Sequence, residues 1–381
     1  YQTDALGYKT SFSYDSLGRV IEITDAKGNK EESSYDASGN PLTVVGKEKD
    51  VTKLEYDKLG RVSKKVNADG TEESYKYDEN GNIISTEQTG GIKYSYEYDG
   101  NGNLLKEINP LGEETKFTYT SRGELKTLED AKGNITTYSY DGAGNLKKEK
   151  ASDGTETKYH YDKVNNLVKI EDAEGHTISY EYDGNGNLIK TIDGNGNVKE
   201  NGYDLLNRLT EMTNADGSKY KMEYDALGQV VKVTDEEGNI TKYEYDGLGR
   251  QTKITNALGQ ETSFVYDELG RVVSSKDEKG VETKYSYTPN GNIETFKDSL
   301  GGEYKYTYDS LGRVLTETSP NGGVTKYEYD KIGNLEKVIN AEGKIGKFTY
   351  DKLGRIETVI DENGSKTSYE YDKNGNMDYS Q

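Results

Sequence analysis

Asp183, Asn185 and Asn187 stand at every second place of the stretch YEYDGNGNLIK, residues 180–190, and side-chain oxygens so spaced could begin a cation site. Calcium takes about six or seven oxygens, and an EF-hand loop also needs glycine at its sixth place and a carboxylate at its twelfth. Counted from Asp183 those places hold Leu188 and Gly194, so the pattern fails. The plainer reading is a tight turn: Asp183 accepts hydrogen bonds from its own backbone, and Gly186 supplies a positive φ.

Other chemistry is thinner still. His160 and His176 are the only histidines, and His160, between Tyr159 and Tyr161, should face away from both rings on a strand. With 69 acidic residues no particular carboxylate pair stands out for acid–base work. The chain has no Gly-Lys-Ser/Thr phosphate loop, no Gly-x-Ser-x-Gly elbow and no His-Glu-x-x-His helix. Two glycosylation sequons, Asn134-Ile135-Thr136 and Asn239-Ile240-Thr241, are short enough to arise by chance. These residues predict no catalytic site, no metal and no cofactor, and therefore no enzyme.

Composition limits what could position any site. Only 31% of the 381 residues are hydrophobic, the mean hydropathy is -0.98, and Trp and Cys are absent while Tyr occurs 34 times. A conventional core would be hard to fill, so buried surface must come largely from tyrosine. A net charge of -20 argues against a nucleic-acid partner, since phosphates call for a basic surface. No apolar run approaches a membrane span.

Order must come from repetition. Tyrosine recurs every 21 residues from Tyr14 to Tyr371, eighteen times without an insertion or deletion. Sixteen of these tyrosines precede Asp, the exceptions being Tyr119-Thr120 and Tyr287-Thr288. With that tyrosine as position 1, position 5 is Gly except at Asn165 and Asn207, and position 15 is Gly except at Lys49. Asparagine is the other residue type that tolerates the left-handed region, so the pattern marks a backbone requirement and each unit turns twice. The representative turn residues are Tyr182, Asp183 and Gly186; Tyr224, Asp225 and Gly228; Tyr245, Asp246, Gly249 and Arg250; and Tyr266, Asp267, Gly270 and Arg271.

Between the turns lie two segments of about seven or eight residues that read as strands, because breakers arrive too often for a helix. In the second, pairs such as Tyr243 and Tyr245 share one sheet face. In the first, Val20, Ile21 and Ile23 break the period of two, which predicts a bulge or a strong twist. The expected fold is all-β: a continuous antiparallel meander of roughly 36 strands, two per repeat, which sheet twist must coil into a spiral, hollow shell or tube. Arginine at position 6, as at Arg250 and Arg271, could lie over a ring of the adjacent tyrosine row.

The unit YD-x-x-G-[RN]-[LVI], completed by G-x-x-x-x-Y-x-YD, resembles the Rhs or YD-repeat family, and the match covers essentially the whole chain. The family includes bacterial Rhs toxins, Tc toxin components, wall-associated proteins and teneurins. The resemblance implies a hollow β-shell that in the toxins encloses a C-terminal toxic segment, hence a structural scaffold on a secreted or cell-surface bacterial protein. Toxin relatives end their repeats in an Asp-Pro-x-Gly boundary; the nearest string here, Asn109-Pro110-Leu111-Gly112, reads as an internal turn. The array starts at position 9 of a unit with Tyr1 and stops at position 11 with Gln381, so residues 1–381 read as one array cut from a longer repeat region. Expected partners are further repeats or copies of the same chain, an enclosed C-terminal toxin, or surface glycans. A self-assembling extracellular fibre and a carbohydrate-binding adhesin are the alternatives to the shell.

Overall fold

The computed structural model describes residues 1–380; Gln381 lies outside the described residues. It is all-β, with thirty-seven strands, and the pairings run antiparallel between strands adjacent in the chain, as through Lys219–Tyr224, Val230–Thr234, Ile240–Tyr245 and Gln251–Thr255. The strands are shorter than the spacing predicts: five residues after the tyrosine turn and six ending on the next tyrosine, as in Val230–Thr234 and Ile240–Tyr245. The turns are correspondingly longer, because each closes with two backbone hydrogen bonds across a five-residue span. Asp246 N–H donates to Arg250 O and Gly249 N–H to Asp246 O, both at 2.9 Å.

The irregular first strand is a bulge. Tyr245 pairs with Gln251 and Glu244 with Lys253, so Thr252 is the extra residue on its strand. The same shift recurs at Tyr14, where the partner of Tyr14 is Val20 and the partner of Phe12 is Ile23. Val20 and Ile23 therefore share a face although three residues apart, and Ile21, the bulge residue, is exposed.

No apolar side chain among the described residues is fully buried. Tyr243 and Tyr245 are half-buried while Lys242 and Glu244, which alternate with them, are exposed. The charged face carries cross-strand pairs such as Lys253–Glu244 at 2.8 Å and Lys232–Glu223 at 2.6 Å. Such exposed pairs fix register more than they stabilise.

The chain divides into two compact units, one of Tyr1–Glu114 with Ser263–Gln381, the other Thr115–Thr262. Unit 2 is a simple run of consecutive hairpins. Unit 1 brings two distant stretches together, turn against turn. Lys27 Nζ lies 2.9 Å from Asp267 Oδ2, and Arg313 Nη2 lies 3.1 Å from Asp69 Oδ2. The Asn290 N–H donates to Glu48 Oε1 at 3.3 Å and its Nδ2 to Asp50 Oδ1 at 3.2 Å. These partners are 240, 242 or 244 residues apart, close to eleven and a half repeats of 21. The half repeat has a structural meaning. Tyrosine turns lie on one edge of a meander and position-15 turns on the other, so each stretch of unit 1 presents the opposite edge to its neighbour.

Candidate functional site: the tyrosine–aspartate turn

The turn after Tyr245 shows what the repeated residues do. Asp246 Oδ1 accepts the N–H of Leu248 at 2.9 Å and of Arg250 at 3.1 Å, while Oδ2 accepts Arg250 Nε at 2.7 Å. Gly249 sits at φ +80, and a side chain there would bring its Cβ within 2.8 Å of Gln229 Nε2. Where glycine is missing, Asn165, Asn207 and Lys49 hold the same left-handed backbone at φ 67, 59 and 68.

At the candidate cation loop both side-chain oxygens of Asp183 are already engaged. Asp183 Oδ1 accepts from the N–H groups of Asn185 and Asn187, each at 2.9 Å, and Oδ2 from Asn187 Nδ2 at 2.8 Å. Gly186 has φ 86. The arrangement is the turn of Asp246 with asparagine in the place of arginine, which explains why position 6 is so often Arg or Asn: both put a side-chain N–H on the second carboxylate oxygen. Asp225 repeats the clamp to Leu227 and Gln229, and Gln229 Nε2 reaches Gly249 O at 3.1 Å in the next unit. Gly228 and Gly270 have φ 85 and 80.

Asp267 is the most enclosed of these carboxylates, 6% exposed. Its Oδ1 accepts from Leu269 and Arg271 N–H, and Oδ2 from Arg271 Nε at 2.8 Å. Arg271 Nη2 lies 2.7 Å from the same oxygen, and Lys27 adds a further donor from the other stretch. Burial pushes this carboxyl up, but the Arg271 and Lys27 hydrogen bonds outweigh it and hold the pKa at about 2. The Asn187 amide likewise lowers Asp183, and at Asp246 the Arg250 contacts overcome the opposing effect of burial.

Arginine at position 6 also ties one unit to the next. Arg271 Nη1 donates to Thr288 O at 3.1 Å, and its guanidinium carbon lies 4.7 Å from the centre of the Tyr287 ring. The same stacking occurs for Arg19 on Tyr35 at 4.9 Å, Arg61 on Tyr77 at 4.4 Å and Arg208 on Tyr224 at 4.6 Å.

The tyrosine hydroxyl has a role that the sequence analysis missed. Tyr245 Oη donates to Val230 O at 2.7 Å, Tyr224 to Leu209 O at 2.6 Å and Tyr182 to Leu167 O at 2.9 Å. Each acceptor belongs to position 7 of the preceding unit, the residue opposite that unit's tyrosine where the ladder shifts at the bulge. The bulge leaves a backbone carbonyl needing a donor, and the next tyrosine supplies it. Only the complete absence of Phe from position 1, which is Tyr in all eighteen repeats, could have signalled this.

The remaining candidates lie on strands and turns as well. His160 is exposed on its strand, opposite in facing to Tyr159 and Tyr161. His176 Nδ1 lies 3.0 Å from Asp172 Oδ2, in the position-6 role at the other kind of turn. The sequon residues Asn134 and Asn239 are clamped in the same way, their Nδ2 atoms donating to Asp130 and Asp235 at 2.8 and 2.9 Å. Asn109 N–H donates to Glu113 O and Gly112 N–H to Asn109 O, an internal turn like the rest. Among the described residues, no group of three or more His, Asp or Glu is arranged to hold a metal.

The Teneurin YD-shell profile matches residues 3–106 and 63–200, and the RHS Repeat profile matches 224–261, 266–303, 289–324, 308–345 and 350–377. No curated protein matches the chain. The crystal structure of TcdB2-TccC3-TEV is similar at a TM-score of 0.75 and 16% identity, over 96% of this chain and 25% of that one. TcdB2-TccC3 without its hypervariable C-terminal region gives 0.56 at 16% identity, over 97% and 25%. The Photorhabdus luminescens Tc holotoxin pore gives 0.55 at 16% identity, over 97% and 25%. At such identity the likeness is one of fold, and the chain spans about a quarter of each neighbour's length.

Proposed function

The chain belongs to the Teneurin YD-shell and RHS-repeat family, and from that premise we propose that it is a non-catalytic structural wall, a segment of β-shell in a secreted or cell-surface bacterial protein. The observation that carries the reading is how the repeat uses its polar residues. Aspartate, arginine or asparagine, and the tyrosine hydroxyl are engaged in closing turns and linking units, as at Asp246, Arg271 and Tyr245. Chemistry requires side chains that converge on a substrate; here they converge on the backbone. A wall of this kind would enclose or display a C-terminal toxic segment supplied by the rest of a longer chain, and the tyrosine face is the surface a cargo or glycan would meet. The fold likeness to Tc toxin chains supports the scaffold role by analogy of architecture.

Electron microscopy of the purified chain over a range of concentrations tests the reading. Discrete particles of constant size are expected. Saturable turnover of any small-molecule substrate, abolished by a single side-chain replacement, would overturn it.

A further inference from the structure

Turns 21 residues apart are nearly alike, so two stretches of a repeat array could meet one repeat out of step almost as readily as in step. Unit 1 has a single pairing, and two turns that depart from the repeat face each other in it. Turn 46–50 has Gly46 where the neighbouring turns have Asp25 and Asn67, Lys49 in the glycine place, and Asp50 where they have Asn29 and Thr71. Turn 288–292 has Thr288 in the place of the aspartate.

The two departures are complementary. In a regular tyrosine turn the aspartate accepts the N–H of the third residue, as Asp309 does from Leu311 at 2.9 Å. Thr288 has no carboxylate and its buried hydroxyl makes no hydrogen bond, so the N–H of Asn290 goes across the contact to Glu48 Oε1 at 3.3 Å. Thr120, the other threonine at this place, behaves differently: its hydroxyl accepts from the N–H groups of Arg122 and Glu124, each at 3.3 Å, within its own turn. On the facing side, any side chain at Gly46 would collide with the Asp50 carboxylate. The glycine leaves room for Asp50, whose Oδ1 accepts from Asn290 Nδ2 at 3.2 Å.

We propose that turns 46–50 and 288–292 form a register key: one turn lacks its own carboxylate clamp, the other supplies it, and the fit selects this pairing over those one repeat away. Slipped by one repeat, Asn290 would face Lys27, a cation that accepts no hydrogen bond, or Asp69, whose Oδ1 is already taken by the N–H and hydroxyl of Thr71. Slipped likewise, Glu48 and Asp50 would face Asp267 or Asp309, which already hold those N–H groups, so that carboxylate meets carboxylate. The key is a property of unit 1 alone and does not depend on what the wall encloses.

Gly46→Asp/Asp50→Asn/Thr288→Asp gives both turns the residues common elsewhere and erases the key. Because the chain has no cysteine, register can be read by disulfide trapping at Gly90, two repeats on, where an added Cβ would lie 2.6 Å from Ile332 Cγ2. In the parent chain Gly90→Cys should cross-link with Ile332→Cys but not with Leu311→Cys or Leu353→Cys, the corresponding places one repeat to either side. With the key erased, cross-links to Leu311→Cys or Leu353→Cys should appear; trapping with Ile332→Cys alone in both backgrounds overturns the proposal. Glu48→Ala tests the same point without rebuilding either turn. Exchange of the Asn290 amide should quicken roughly tenfold, while the Arg122 amide, held within its own turn, keeps its rate. An Asn290 amide as slow as in the parent would show that Thr288 closes its own turn and would equally overturn the key.

Discussion

Each repeat position is selected by one backbone problem, and single substitutions should expose it. Gly249→Val places a β-branched residue at φ +80 and drives its Cβ toward Gln229, so we predict a loss of more than about 1 kcal/mol. Gly249→Asn should cost much less, since Asn207 holds the same place naturally at φ 59. Coincident urea melts for glycine and valine would refute the turn assignment. For the hydroxyl, Tyr245→Phe keeps the ring but removes the donor to Val230 O, and we predict a loss of about 1 kcal/mol together with faster exchange in the bulge at 230–232. Unchanged stability would mean that water replaces the hydroxyl without cost.

At the scale of the strand, the bulge decides which side chains face the tyrosines. Deleting Val231, the extra residue opposite Tyr224, should either flip Lys232–Thr234 to the other face or slide the strand. We predict a drop in the urea midpoint well beyond that of Val231→Ala; equal effects would show that the bulge is dispensable. This is also where sequence and structure part. The two turns per unit were legible because glycine recurs at two fixed places, replaced by asparagine only at Asn165 and Asn207 and by Lys49, and the tyrosine face was legible from its period of two. The apolar pattern of Val20, Ile21 and Ile23 signalled a bulge but not which residue bulges, since pairing depends on the partner strand. The contact of turns 25–29 with 267–271 was illegible altogether. It joins Lys27 to Asp267, 240 residues on and close to eleven and a half repeats of 21, and no local periodicity encodes that.

On the molecular scale, stability is a sum of neighbouring units plus the turn-to-turn contact in unit 1. Lys27→Glu would set a carboxylate against Asp267, which is 6% exposed and already held by Arg271. We predict selective loss of hydrogen-exchange protection at 25–29 and 267–271, at a cost of about 2 kcal/mol, with unit 2 unaffected. Uniform loss across both units would contradict a local tie. Acid should act more broadly. Turn carboxyls such as Asp183 and Asp246 are depressed in the folded state, and Asp267 is held at about 2. Their contribution is fully present above the unfolded value of about 3.9 and is lost as pH falls through the folded values. The urea midpoint should therefore be flat from neutral pH to about 4 and fall steeply toward 2, and Asp267→Asn should flatten that fall at the unit 1 contact.

A strand bonded only to its chain neighbours has a mechanical consequence. Tension applied between neighbouring turns of unit 2 loads one hairpin's hydrogen bonds in sequence rather than many in parallel, so the array should yield by unzipping, one repeat at a time. Each 21-residue repeat would release a contour length of about 70 Å, and a pulling trace should show evenly spaced, low-force steps. An array assembled this way should resist thermal fraying in its interior yet be drawn out from a free end without global collapse.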